Sequence, residues 1–154
     1  MDAYKTPDSN LETNETLHFK PIKAVLFGLL IAIVLGLIVS TITALTIAVF
    51  EGIDLSNQDE LEKYLASNYY YLLIDILITF FVLYWAGTVV KKYVPGKEKL
   101  YAMIVTALTV IIIALMLFMY GSYEMYPIWY NFTSILSIPI AIYWGAIPNS
   151  QAKT

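Results

Sequence analysis

Asp75 is the residue best placed to do chemistry. It is the one acidic side chain in four long apolar blocks, Pro21–Phe50, Leu72–Val90, Leu100–Tyr120 and Pro127–Ile147. A carboxylate at membrane depth is costly. It marks a proton relay, an ion site or a hydrogen-bonded tie between helices. It lies about one helical turn into its block, roughly 5–6 Å at 1.5 Å per residue. Thr79 is one turn further along the same face. Asn131 stands four residues into the fourth block, Thr43 and Thr46 lie late in the first, and Tyr120 ends the third. These positions fall at similar depth, so we expect a polar cluster of Asp75, Thr79, Asn131, Thr43, Thr46 and Tyr120.

A second pattern runs along the first block. Gly28, Ala32, Gly36, Ser40, Ala44 and Ala48 repeat small side chains every four residues. In lipid, small residues let helix backbones approach closely, where packing drives association. Four residues advance an α-helix by about 400°, so the stripe drifts roughly 40° per step. It cannot face one straight partner throughout. We expect a helix-packing face, used inside the bundle or against a second chain. Pro139 interrupts the fourth block. It should free the Ile135 carbonyl, with Ser134 and Ser137 near enough to help satisfy the freed groups.

Other chemistries are excluded by composition. The chain has no cysteine and no arginine, and its one histidine, His18, precedes the first block. Thiolate and histidine-rich metal sites are therefore ruled out. The acids Glu51, Asp54, Asp59, Glu60 and Glu62 cluster in one loop, but a calcium loop starting at Asp54 would need glycine where Asp59 stands. A net charge of −3 and the lack of arginine argue against nucleic acid. We expect no catalytic set, no cofactor and no metal, and the chain is not expected to be an enzyme.

The elements that must position Asp75 follow from the apolar blocks. The sequence is 59% hydrophobic and only 14% charged, against about a quarter charged in soluble domains. Each block is long enough to cross a hydrocarbon core of about 30 Å as a helix. The sequence thus predicts an all-α membrane protein, a four-transmembrane-helix bundle with spans at about 21–50, 70–90, 99–120 and 127–147. Residues 21–148 form one membrane domain, between a flexible tail over 1–20 and a short tail over 149–154. Pro21 and Pro127 suit helix starts. Pro95-Gly96 and the segment Gly121–Tyr126 make tight turns, which predict antiparallel neighbours. In the longer loop, Ser56 and Asp59 resemble a capping box and predict a short amphipathic helix from about Asn57 to Ser67.

Lysines set the orientation. Lys5, Lys20, Lys23, Lys91, Lys92, Lys97, Lys99 and Lys153 lie on one side of these spans, and Lys63 alone on the other. Both termini are therefore expected in the cytoplasm, with the protein in the cell (inner) membrane. Most of the thirteen tyrosines fall near block ends, where amphipathic rings anchor at the interface.

The expected role is a small non-enzymatic interaction or accessory membrane protein. Its partners would be the lipid bilayer and a second copy or another membrane protein. The alternative is a small oligomeric transporter for a proton, cation or solute, using Asp75.

Overall fold

The first apolar block folds as one continuous helical rod in three parts. These are α1 (Leu11–Leu29), a π-helical turn (Leu30–Leu35) and α2 (Gly36–Phe50). The computed structural model describes residues 11–120 and 125–147, with side chains from 20 to 119 and from 125 to 147. The expected short tail over 149–154 and the turn residues 121–124 lie outside them, as do Lys5, Lys153 and the Tyr120 side chain. Every element in the described residues is helical: α3 (Gln58–Ser67), α4 (Tyr69–Tyr93), α5 (Glu98–Tyr120) and α6 (Ile128–Ala146) follow.

The rod begins earlier than its apolar block. Helix α1 starts at Leu11, so Pro21 sits inside it and not at the first helical position. Half of the tail expected to be flexible is thus helical. Pro21 removes one donor, the one that would have met the Leu17 carbonyl.

The π-helical turn reduces the drift of the small-residue stripe. A π turn takes more residues than an α turn. A four-residue step therefore falls short of a full turn there, where in the α segments it overshoots. One such step offsets only part of the drift, and the stripe changes partners along the rod. Gly28 lies against Val90 of α4 and Val105 of α5. Ala32 and Ala48 are buried, and Ala44 packs on Leu65, Tyr71 and Leu72. Gly36 differs: a side chain there would meet nothing within 4 Å.

The rod ends in a Schellman motif. The Ile53 amide donates to Ala48 O at 2.9 Å and Gly52 to Val49 O at 3.2 Å. Gly52 takes φ +71, which an L side chain resists. Helix α3 then starts at Asn57, not at Ser56. The Asn57 side-chain Oδ1 accepts from the Glu60 amide at 3.3 Å, and its Nδ2 donates back to Glu60 Oε2 at 3.3 Å. Ser56 instead donates its amide and hydroxyl to Asp54, at 2.9 and 2.7 Å. That local turn competes with the capping role expected of it.

Only Asn68 separates α3 from α4. It caps α4 by accepting from the Tyr71 amide at 3.0 Å and donates to the Tyr64 hydroxyl at 2.6 Å. Leu65 and Ala66 of α3 are buried, so α3 folds down over the start of α4.

Helix α4 is the centre of the bundle. It packs on the α1–α2 rod, which runs antiparallel to it, and most extensively on α6, which runs parallel to it. Its sequence neighbour α5, joined to it by the tight Pro95-Gly96 turn, also touches it but is a lesser partner. Helices α5 and α6 also pack together.

The α4–α6 contact owes its closeness to two glycines. A Cβ on Gly87 would fall on the Ile142 carbonyl, and one on Gly145 on the Tyr84 carbonyl. The hydrogens in their place point at those oxygens, the geometry of paired Cα–H···O contacts. The main core beside them is built from small side chains. Six of its twelve described buried residues are alanine, which fits helices held by close backbone approach. At the far end, Lys91 Nζ donates to the Ile147 carbonyl at 3.0 Å and closes the end of α6.

Three helical segments in the described residues are long and apolar enough to cross a membrane: Lys20–Phe50, Tyr69–Tyr93 and Glu98–Met119. Helix α6 carries no Asp, Glu, Lys or Arg, but Trp129, Tyr130, Asn131, Tyr143 and Trp144 make it less apolar.

Candidate functional site

Asp75 is buried by three helices, with 5% of its surface exposed. Ser40 of α2 donates to Oδ1 at 2.5 Å. Tyr130 of α6 donates to Oδ2 at 2.6 Å. Such lengths belong to charge-assisted O–H···O bonds, which are stronger than neutral ones. Each carboxylate oxygen is thus held by a different helix, and the carboxyl bridges α2, α4 and α6.

Aromatic side chains enclose this bridge. Tyr71, one turn before Asp75 on the same face, is buried with Leu72. Tyr126 stacks on Tyr130 with ring centroids 5.1 Å apart, and Trp129 meets Tyr130 edge-on at 6.1 Å. Leu61, Tyr64 and Leu65 of α3 pack on the same cluster from above. Burial pushes the Tyr126 phenol above its ordinary range, helped by the charges of Asp75 and Glu62. A group of hydroxyls around one carboxylate can hold a proton or a small cation, or can fasten helices together.

The cluster anticipated from depth alone is only partly assembled. Asp75 is at its centre, with Thr79 half-buried one turn on. Thr43 and Thr46 turn to their own helix, donating to Val39 O at 2.9 Å and Ile42 O at 2.7 Å. Asn131 donates to the Tyr126 carbonyl at 3.3 Å. Ser40 and Tyr130 donate to Asp75, and neither was among the residues expected there. One residue turns a helix face by about 100°, which separates Tyr130 from Asn131 and Ser40 from its threonine neighbours. Ser40 stood in view as a member of the stripe, four residues from both Gly36 and Ala44. Tyr130 carried no separate signal among so many interfacial tyrosines.

The serines near Pro139 also act differently from expectation. Ser137 donates to Ser134 O at 2.7 Å, not to the Ile135 carbonyl that Pro139 leaves without its helical donor. The Gly87–Gly145 contact was missed entirely. Its signal was Ala141 and Gly145, a small pair at four-residue spacing on α6.

Among the described residues, no group of three or more His, Cys, Asp or Glu side chains could hold a metal ion. Comparison with protein-family models, curated proteins and solved structures finds no match to this chain.

Proposed function

We propose that this chain is a four-span protein of the cell membrane, with both termini cytoplasmic, acting as a non-enzymatic interaction or accessory protein. Helix α6 would be the fourth span. In its favour, it runs parallel to α4 along that helix's length, carries no charge, and has tyrosine or tryptophan near both ends. The lysine bias supports the orientation.

One observation carries the role. The carboxylate of Asp75 is engaged on both oxygens by hydroxyls of two other helices. A group so held serves as a tie between helices, and it supports a scaffold more than a pathway. The apolar faces turned outward, such as Leu26, Leu30, Leu37, Phe81, Phe118 and Phe132, suit contact with lipid or with other membrane helices.

A second reading has a specific observation behind it. Ser40 and Tyr130 bring two hydroxyls onto one buried carboxylate, with the aromatic cluster of Tyr71 and Tyr126 beside it. That set suits a proton or cation site in a small oligomeric transporter.

Reconstitution separates the two readings. Purified protein in liposomes containing a pH-sensitive dye is placed in proton and cation gradients. The scaffold reading expects flux no greater than in empty liposomes, and an Asp75→Asn variant that loses stability. Flux in wild type that vanishes in folded Asp75→Asn would overturn it in favour of transport. Native mass spectrometry after gentle extraction then distinguishes a homo-oligomer from a stoichiometric complex with another protein.

A further inference from the structure

Away from Asp75, at the lysine end of the bundle, α5 and α6 leave a groove of about 630 Å³ between them. Met103 and Ala107 line it from α5, and Pro139, Ile140, Tyr143 and Ile147 from α6. These residues recur at helical spacing on each helix, so the groove runs lengthwise along the bundle. We infer that this groove holds one acyl chain of an anionic phospholipid whose headgroup sits among the lysines of the α4–α5 turn.

Charge and position together carry the inference. Lys99 stands four residues before Met103 on α5, hence on the groove face one turn nearer the end, about 6 Å away along the axis. Lys97 and Lys99, with Gly96, Glu98 and Leu100, line a separate hollow of about 370 Å³ at that end. Both lysines are exposed. Glu98, the acid in this hollow, already accepts from the Gly96 amide at 2.7 Å. Lys91 reaches across to Ile147, which lines the groove. Read along α5, the order from apolar groove to cationic hollow matches a lipid's own order of chain, interface and phosphate. Tyr143 and Trp144, both lining the groove, add the amphipathic rings that favour the headgroup boundary. Lysines near a membrane surface attract anionic headgroups. The inference rests only on the chain lying in a bilayer, and holds for either reading of Asp75.

Native mass spectrometry tests it with two lipids of identical chains. The protein is titrated in detergent with palmitoyl-oleoyl phosphatidylglycerol or palmitoyl-oleoyl phosphatidylcholine. We expect one phosphatidylglycerol retained per chain, bound well above phosphatidylcholine. A Lys97→Gln/Lys99→Gln variant should weaken phosphatidylglycerol about fivefold per lysine and leave phosphatidylcholine unchanged. Ala107→Trp, which fills the groove, should remove both lipids. Met103→Trp serves the same purpose if the first variant does not fold. Equal retention of the two lipids by wild type would overturn the inference. So would phosphatidylglycerol binding undiminished in a folded groove-filled variant.

Discussion

The close backbone contact between α4 and α6 makes a sharp forecast at Gly145. A Cβ there would be driven into the Tyr84 carbonyl, and would lie 3.0 Å from its carbon and 3.1 Å from the Thr88 amide nitrogen. Ordinary contact begins near 3.4 Å. The obstructing atoms are helix backbone, so no side chain can rotate away and α6 must part from α4. Overpacking of this kind costs about 1–3 kcal/mol. Parting also loses the reciprocal Cα–H···O contacts at Gly87 and Gly145, about 0.5–1 kcal/mol each. Alanine's helix preference over glycine returns about 1 kcal/mol. Gly145→Ala should therefore destabilise the bundle by about 1–4 kcal/mol. Gly87→Ala should do the same, since its Cβ meets the Ile142 carbonyl. The double variant should cost less than the sum, because one separation of the helices relieves both clashes. Gly36→Ala is the control: with nothing within 4 Å, it should be neutral or slightly stabilising. The assay is reversible unfolding in mixed micelles of increasing sodium dodecyl sulfate fraction, read by circular dichroism. The reasoning fails if Gly145→Ala unfolds with wild type, or if Gly36→Ala is the more damaging change.

Three further outcomes follow from named contacts. Tyr130→Phe strips one donor from a buried carboxylate and should cost about 1–3 kcal/mol in the same assay. A change within a few tenths would mean that Tyr130 does not tie α6 to α4. Asn57→Ala removes the cap of α3 and should destabilise that helix by about 1 kcal/mol. Hydrogen exchange at the amides of 60–66 would speed up about fivefold, and an unaltered rate would dismiss the cap. Asp54 accepts two bonds from Ser56, which hold its carboxyl below the ordinary 3.8. A depressed value means that the turn gains stability above the ordinary carboxylate range and loses it as pH falls through the folded value. Side-chain NMR should show Asp54 returning towards 3.8 in Ser56→Ala, and an unmoved titration would contradict the turn.

Local features were legible in the sequence wherever a residue acts within its own segment. The short helix over 57–67 was visible because Leu61, Tyr64 and Leu65 repeat at helical spacing beside acids suited to its first turn. Its capping residue was displaced by one position, because Ser56 finds a nearer partner in Asp54. The small-residue stripe was visible as spacing. The π turn that reduces its drift was not, because the bulge changes helical phase without any marker in Leu30–Leu35. Asp75 stood out by its charge, and its partners did not, because depth along a helix says nothing of rotation about it.

What the sequence determined alone is therefore the one-dimensional part. Runs of apolar residues form long helices because backbone groups must be satisfied within the segment where water is absent. A lone carboxylate among them needs partners for the same reason. Tertiary structure decided which faces meet. It joined Ser40, Asp75 and Tyr130 from positions 35 and 55 residues apart in the chain, and set α4 beside α6 in preference to its sequence neighbour α5. The physical reason is that these choices depend on helix phase and on how closely two backbones can approach. Gly87 and Gly145 let the backbones of α4 and α6 approach closely, and the packing of α2, α4 and α6 brings the hydroxyls of Ser40 and Tyr130 to Asp75.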